Sequence, residues 1–540
     1  MRNTLTALFC VAAIAIPTWG SDTDFEIDLG DGFVTRARLT VPNSDRTNFP
    51  TAILFHGSGP SDMDATVSGA AGAPPISANF RRIANRLATR GIATLRFDKR
   101  GVRADGTPDW EQIQRSTLFR LIDDAHAVID AALALDAVDD ETVFLYGWDQ
   151  GAQVVVHAAA ARDDIAGLIL QGAPSAGWAR TFRYEHLDVG LPYLANVVDA
   201  DGDGALSLTE LEALPRAPVT PVGLMPALYL WSSESTPSYP RLRADADVNA
   251  EGLLDIEEEL RVLIVRQLSG PRPNPFVARD SEPDVLIPKV LRGVDLPVLV
   301  LHGEQDGWTS VTDGERIAGA ARHRISFRRY PGLGHALDLT TDPALDAFGE
   351  MAEQPIQDIA DWLLRTLSHR TSLPRVAYDN GQRRLLMSEA MAAALTEQAP
   401  DFRPWEADDY PPRFQAPQWY SRWHAPFAAI GDYNGDGVLD LTVLGVTSSQ
   451  GKALCLLSDG DRLTVMNVDV TPPKLASNAD GRHPSPYVVL EAFARGYVAP
   501  GHESQPLDLS ADAFVVVYIE KSAIIRYLQD GAFARYSLGD

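Results

Sequence analysis

A chain of 540 residues is too long for one ordinary domain, so two or three are expected. With 45% hydrophobic and 22% charged residues the composition is globular, which excludes a fibrous or wholly disordered protein. The formal charge of −26 excludes nucleic acid as a natural partner, because the electrostatic term repels phosphate.

The first residues read as an export signal. Met1-Arg2 is a short basic start, Leu5 to Ile16 is apolar, and Thr18-Trp19-Gly20 leads to Ser21. Cleavage near residue 20 predicts a secreted or periplasmic protein with no stable membrane span, the apolar run being short for one. Cys10 lies in this segment and Cys455 is the only other cysteine, so the mature chain has no internal disulfide.

Residues 25–175 alternate strand-like and helix-like patterns. Phe25 to Pro42 predicts a hairpin turning at Gly30-Asp31-Gly32. Thr51 to Phe55 and Ile92 to Phe97 are apolar runs suited to strands buried on both faces. Ser77 is placed to cap a helix presenting Phe80, Ile83, Ala84 and Leu87, and Leu118 to Leu135 is amphipathic. A strand over Thr142–Leu145 then meets Gly147-Trp148-Asp149-Gln150-Gly151 and an Ala/Val-rich helix, and Gly167 to Gln171 is the next strand.

The alternation stops after Pro174 and resumes at Leu296–Leu301, Ile325–Tyr330 and a helix over Ile356–Leu367. This predicts an α/β core of residues 21–175 and 291–370 around a parallel sheet. Residues 176–290 form a helical cap inserted between neighbouring strands, and residues 375–540 a mostly β C-terminal domain. Asp530-Gly531 is a favoured hairpin pair in that domain.

The glycine-flanked turn at 147–151 has the form of a nucleophile elbow, with aspartate at the position that stands clear of the sheet. Functional residues of an open parallel sheet collect at the carboxyl ends of its strands. There the chain presents Asp149, then Asp306 after Leu299–Gly303, then His335 after Pro331-Gly-Leu-Gly. The first buried strand ends at His56-Gly57-Ser58-Gly59-Pro60, placed to stabilise an oxyanion through Gly57 and Ser58 together with Gln150. Trp148 reads as packing beside the elbow, Lys99 and Arg100 as ion-pair partners, and His56 as a brace of its loop.

Three acidic loops have metal-ligand spacing. Asp199, Asp201, Asp203, the backbone of Ala205, Ser207 and Glu210 fit an EF-hand loop turning at Gly204, with Leu206 placed to bridge to a partner loop. Asp247, Asn249, Glu251, Asp255 and Glu258 fit a second, turning at Gly252. Asp432, Asn434, Asp436, the backbone of Val438 and Asp440 surround Gly437 in a third loop, which resembles the calcium loops of FG-GAP/VCBS repeats. The expected cofactor is Ca²⁺, chiefly structural, with no organic cofactor. The aromatic residues before the third loop (Trp405, Tyr410, Trp419, Tyr420, Trp423) read as core.

On the motifs at 56–60, 96–101, 147–151, 306 and 335, residues 25–370 resemble the α/β-hydrolase superfamily, and more narrowly a group of bacterial esterases whose elbow carries serine. The Asp–acid–His set is similar to that of haloalkane dehalogenases and epoxide hydrolases. That likeness implies Asp149 as nucleophile on a small-molecule substrate (epoxide, alkyl halide or ester), with His335 activating water and Asp306 orienting it. The chain departs from the dehalogenases at Gln150 and Ser58, where tryptophan and asparagine are usual. The likeness to epoxide hydrolases implies cap tyrosines at the ring oxygen, with Tyr184, Tyr193, Tyr229 and Tyr239 available. A second reading stays open: a hydrolase fold without turnover, acting as a calcium-dependent binding or scaffold module.

Overall fold

The computed structural model describes residues 20–538, apart from 71, 104, 215–218, 231–241, 270–285, 295, 321–324, 380–381, 411–424, 449–450, 460–461, 469–487, 494, 499–504 and 519–521. The basic-apolar start, with Cys10, therefore lies outside the described residues, as do Tyr239, Trp419, Tyr420, Trp423 and the side chain of Tyr229.

An eight-stranded sheet forms the core. Its strands are β1 (Ser21–Asp28), β2 (Val34–Val41), β3 (Phe49–Phe55), β4 (Ala93–Phe97), β5 (Val138–Trp148), β6 (Ile165–Gln171), β7 (Val298–Gly303) and β8 (Ile325–Tyr330), in spatial order β1-β2-β4-β3-β5-β6-β7-β8. β1 and β2 are the antiparallel hairpin, β2 meets β4 antiparallel, and every later pairing is parallel. All residues of β3, β6 and β7 are buried, which is why they read as unbroken apolar runs instead of alternating ones.

Helices cover both faces. α1 (Asn79–Ala88) buries Phe80, Ile83, Ala84 and Leu87, and full burial of Ile83 or Leu87 contributes roughly 1.5–3 kcal/mol each. Its N-cap is Ala78, not Ser77. Ser77 pairs as a short strand with Val67 and donates its hydroxyl to the Phe348 carbonyl, so tertiary bonding takes the side chain from the capping role. α2 (Leu118–Leu133) is capped instead by Thr117, whose hydroxyl accepts the Arg120 N–H. α3 (Gln150–Ala160) follows the elbow, and α4 (Glu353–Thr371) buries Ile356, Ile359, Ala360 and Leu363.

β6 and β7 are hydrogen-bonded neighbours, so the long segment between them leaves and re-enters the sheet at adjacent strand positions. It forms short helices around a core of its own, with Leu194, Leu206, Leu254, Leu260 and Ile264. Among its described residues the C-terminal part, apart from the helices Glu389–Gln398 and Ala407–Asp409, is mostly β: a five-stranded sheet around Asp440–Val446 and a four-stranded sheet around Ala513–Tyr518 share Tyr433, Val443, Leu490 and Phe514 in one core. Trp405 and Tyr410 are buried in it. Asp530 and Gly531, both at positive φ, turn the hairpin between Ser522–Gln529 and Ala532–Ser537. The Tyr497 ring lies against Phe327 and under the Arg329 guanidinium, which docks this region on β8.

Candidate active site and acidic loops

Asp149 sits between β5 and α3 at φ 51°, ψ −116°, a conformation that costs a non-glycine residue of order 1–3 kcal/mol. The turn is tight: a Cβ on Gly147 would lie 2.4 Å from the Gly151 carbonyl oxygen, and one on Gly151 2.5 Å from that of Phe55. These two glycines let the chain hold Asp149 out at the strand end. Its N–H donates to the Gln171 carbonyl at 2.9 Å, tying the elbow to the end of β6.

One carboxylate oxygen of Asp149, Oδ2, accepts the Ser58 N–H at 2.9 Å and the Ser58 hydroxyl at 2.7 Å. Two donors of the loop after β3 are thus aimed at the elbow carboxylate. Behind that loop the buried Lys99 Nζ donates to the Gly57 carbonyl at 2.5 Å and to Gln150 Oε1 at 2.9 Å. Lys99 therefore joins the loop to the first residue of α3. Arg100 is the ion-pair residue of the two, held by Asp124 and Asp31. His56 accepts no catalytic partner: its Nε2 meets the Asp62 carbonyl at 2.9 Å, and burial with the Lys99 charge lowers its pKa to about 3, so it is neutral.

His335 Nδ1 lies 2.9 Å from Asp306 Oδ2, and both residues are buried. Asp306 also accepts the Trp308 and Thr309 N–H groups and the Thr309 hydroxyl, with His302 Nε2 at 3.2 Å. Burial alone would raise this carboxyl, but the charges and hydrogen bonds of His335 and His302 hold it well below the usual carboxylate range. Burial works against a charged His335; the carboxylates of Asp306, Asp149 and Asp346 outweigh it and lift the imidazole to about 9. Gly172, at φ 52°, makes room for the ring, because a Cβ there would come within 2.8 Å of His335 Cε1. Trp148 packs its ring 5.7 Å from that of His335.

Asp346 is a part of the site that residue patterns did not disclose. Its Oδ2 accepts the N–H groups of Gly307 (3.0 Å) and His335 (2.7 Å), clamping the acid's loop to the histidine's. Burial and the Asp306 charge push its carboxyl up to about 7. The cap contributes two more groups. Tyr184 donates its hydroxyl to the Asp306 carbonyl at 2.8 Å. Glu185, next along the wide helix Tyr184–Gly190, is buried, and burial together with the Asp149 charge holds its carboxyl well above the usual range.

In the cap, the short strands Ala205–Ser207 and Leu253–Asp255 pair antiparallel, with Leu206 opposite Leu254. The Asp199, Asp201 and Asp203 carboxylates converge to within 4.8 Å of one another. Glu210 accepts the N–H groups of Ala200 and Ser207. In the second loop Glu259, not Glu258, holds the matching place, accepting the N–H groups of Val248 and Asp255. The wide helical turn at Ile256–Leu260 displaces the register by one residue and leaves Glu258 exposed. The third loop repeats the framework of the first. Asp432 accepts from Gly435 and Gly437 as Asp199 does from Gly202 and Gly204, and Asp436 accepts from Val438 as Asp203 does from Ala205.

The α/β-hydrolase fold family model matches residues 53–339, more than half of the chain. A curated relative, the esterase EstD of Thermotoga maritima, is 28% identical over 138 residues, spanning 26% of this chain and 30% of that esterase. Est1E from Butyrivibrio proteoclasticus is a similar solved structure, with TM-score 0.34 and 18% identity over 64% of this chain and 99% of that one. A proline iminopeptidase from Mycobacterium smegmatis has TM-score 0.37 and 18% identity over 64% and 98%. With the elbow, the strand order and the family match together, this chain belongs to the α/β-hydrolase fold family.

Proposed function

We propose that this protein is a hydrolase in which Asp149 attacks a small-molecule substrate of the epoxide, alkyl-halide or ester type to form a covalent ester. The observation that carries the reading is the pose of its carboxylate. Oδ2 is engaged by two Ser58 donors, so the other oxygen is the one left to attack. An ionised carboxylate needs no base for that step, whereas a serine would.

The ester is then hydrolysed. His335 takes a proton from water, the hydroxide adds to the Asp149 carboxyl carbon, and the Ser58 donors stabilise the resulting oxyanion. Collapse expels the product oxygen, which takes the proton back from His335. The electrostatics favour this order. In the resting enzyme the Asp149 charge helps keep His335 protonated. Ester formation removes that charge, so the imidazole loses one source of its raised pKa and releases its proton to solvent before it acts as the base.

The three acidic loops are read as calcium sites that stiffen the cap and the C-terminal region. In the cap, Asp199, Asp201, Asp203, Ser207 and Glu210, and in the second loop Asp247, Asn249, Glu251, Asp255 and Glu259, supply the oxygen ligands that Ca²⁺ requires. The matched backbone bonding of the loops supports the fit. Export is consistent with the basic-apolar start of the chain and with such calcium sites.

The reading is tested with a panel of epoxides, alkyl halides and esters assayed against the wild type and Asp149→Asn. Turnover of at least one class, reduced by roughly 10³-fold or more in the variant, is expected. Equal turnover by the two proteins would overturn the nucleophile assignment. No turnover of any class by the wild type would favour the binding-module reading.

A further inference from the structure

The cap buries a second carboxyl group, Glu185, on which the charge of the elbow's Asp149 acts. Glu185 is 4% exposed and follows Tyr184, whose hydroxyl is bonded to the backbone of Asp306, so the start of this helix is tied to the acid's loop. The charges that act on Glu185 are Asp149 of the elbow, then His335 and Asp306, with His186 Nδ1 3.8 Å from its Oε2. The neighbouring cap helix Arg261–Ser269 turns Arg261 to Glu257 and Arg266 to Asp245. Of the other segments packed on this helix, Pro343–Leu345 carries no titratable side chain, Val222–Tyr229 and Leu191–Tyr193 carry Tyr229 and Tyr193, and Trp178–Arg183 carries Arg180 and Arg183. A buried carboxyl facing a carboxylate stays protonated while its neighbour is ionised. Asp149 is the member of the pair that accepts two donors from Ser58.

We propose that Glu185 is the general acid that protonates the oxygen expelled when Asp149 attacks, and that the substrate class is therefore the epoxide. This rests on Asp149 being the nucleophile. Of the three candidate classes, the epoxide is the one in which displacement at saturated carbon leaves an alkoxide on the substrate itself. A halide departs without a proton. The step balances as follows: the free oxygen of Asp149 forms a bond to a ring carbon, the ring C–O bond breaks, and the alkoxide takes the Glu185 proton. After hydrolysis of the ester, Asp149 is released as a neutral acid and returns its proton to the Glu185 carboxylate. The cycle consumes one water and yields a diol. Tyr184, whose hydroxyl is committed to the Asp306 carbonyl, does not fill the acid's role in this conformation.

The test uses His335→Gln, in which the ester accumulates, with and without Glu185→Gln. Each protein is mixed with styrene oxide or with 2-phenylethyl bromide, and the mass gain of the Asp149 peptide is followed in time. Glu185→Gln is expected to slow labelling by the epoxide about 100-fold or more and to leave labelling by the bromide within about threefold. In the protein retaining Glu185, epoxide labelling should fall as pH rises and its proton is lost, and this profile should be absent from the Gln variant. Equal epoxide labelling with and without Glu185 overturns the proposal. So does equal slowing of both reagents, or labelling by the bromide alone. If neither reagent labels any variant, the nucleophile assignment itself falls.

Discussion

Replacing Asp149 with serine is expected to abolish turnover of substrates attacked at saturated carbon and to create hydrolysis of activated esters such as p-nitrophenyl acetate. The elbow geometry belongs to the backbone, fixed by Gly147, Gly151 and the bond to Gln171, and none of these depends on the side chain at 149. A serine hydroxyl is a poor nucleophile unless a base removes its proton. His335 is present, and removal of the Asp149 carboxylate takes away one of the charges that hold it protonated. The Ser58 donors, relieved of the carboxylate, become available to the oxyanion of an ester substrate. An ester-hydrolysis rate roughly 10²-fold above that of Asp149→Ala is expected. Equal rates in the two variants would show that His335 and the Ser58 loop are not aligned with the elbow. Retained epoxide turnover by Asp149→Ser would contradict Asp149 as the nucleophile.

Withdrawing calcium is expected to lower the melting temperature by roughly 10 °C, read by calorimetry with chelator and again after calcium is restored. Without a cation the clustered Asp199, Asp201 and Asp203 carboxylates repel one another, and in the third loop the Asp436 charge acts against that of Asp440. Burial already raises Asp440, to about 6, and Asp432; a divalent cation would reverse that cost. Asp199→Ala should remove the part of the shift that belongs to the cap and Asp432→Ala the part from the C-terminal region. A melting curve indifferent to calcium and chelator would sink the assignment of these loops. Because Tyr184 and Glu185 stand on the cap, its loosening should also reduce turnover.

The sheet was legible because β3, β6 and β7 are wholly buried and read as unbroken apolar runs, and because the elbow, the acid and the histidine each follow the end of a strand. The EF-hand-like pairing was legible through the spacing that sets Leu206 opposite Leu254. What escaped the sequence was set by tertiary contacts. Asp346 is one aspartate among many until the fold brings it to the N–H groups of Gly307 and His335. Lys99, like Arg100, reads as a partner for an acidic side chain, yet its amine donates to the Gly57 carbonyl and to Gln150 Oε1. Glu185 lies on a short, wide helical turn whose face no simple period discloses. Glu259 stands in for Glu258 for a similar reason: past the widened turn it is the Glu259 carboxylate that accepts the Val248 and Asp255 N–H groups.

The central claim is that an oxygen of Asp149 becomes bonded to substrate carbon and is exchanged with water when the ester is hydrolysed. It is tested most directly by a single turnover in ¹⁸O-water with enzyme in excess of an epoxide, followed by digestion and mass measurement of the peptide containing Asp149. The account predicts a gain of one ¹⁸O in that peptide and none in the product of the first turnover. Product carrying ¹⁸O while the Asp149 peptide stays unlabelled would mean that water attacks the substrate directly, and would contradict the account.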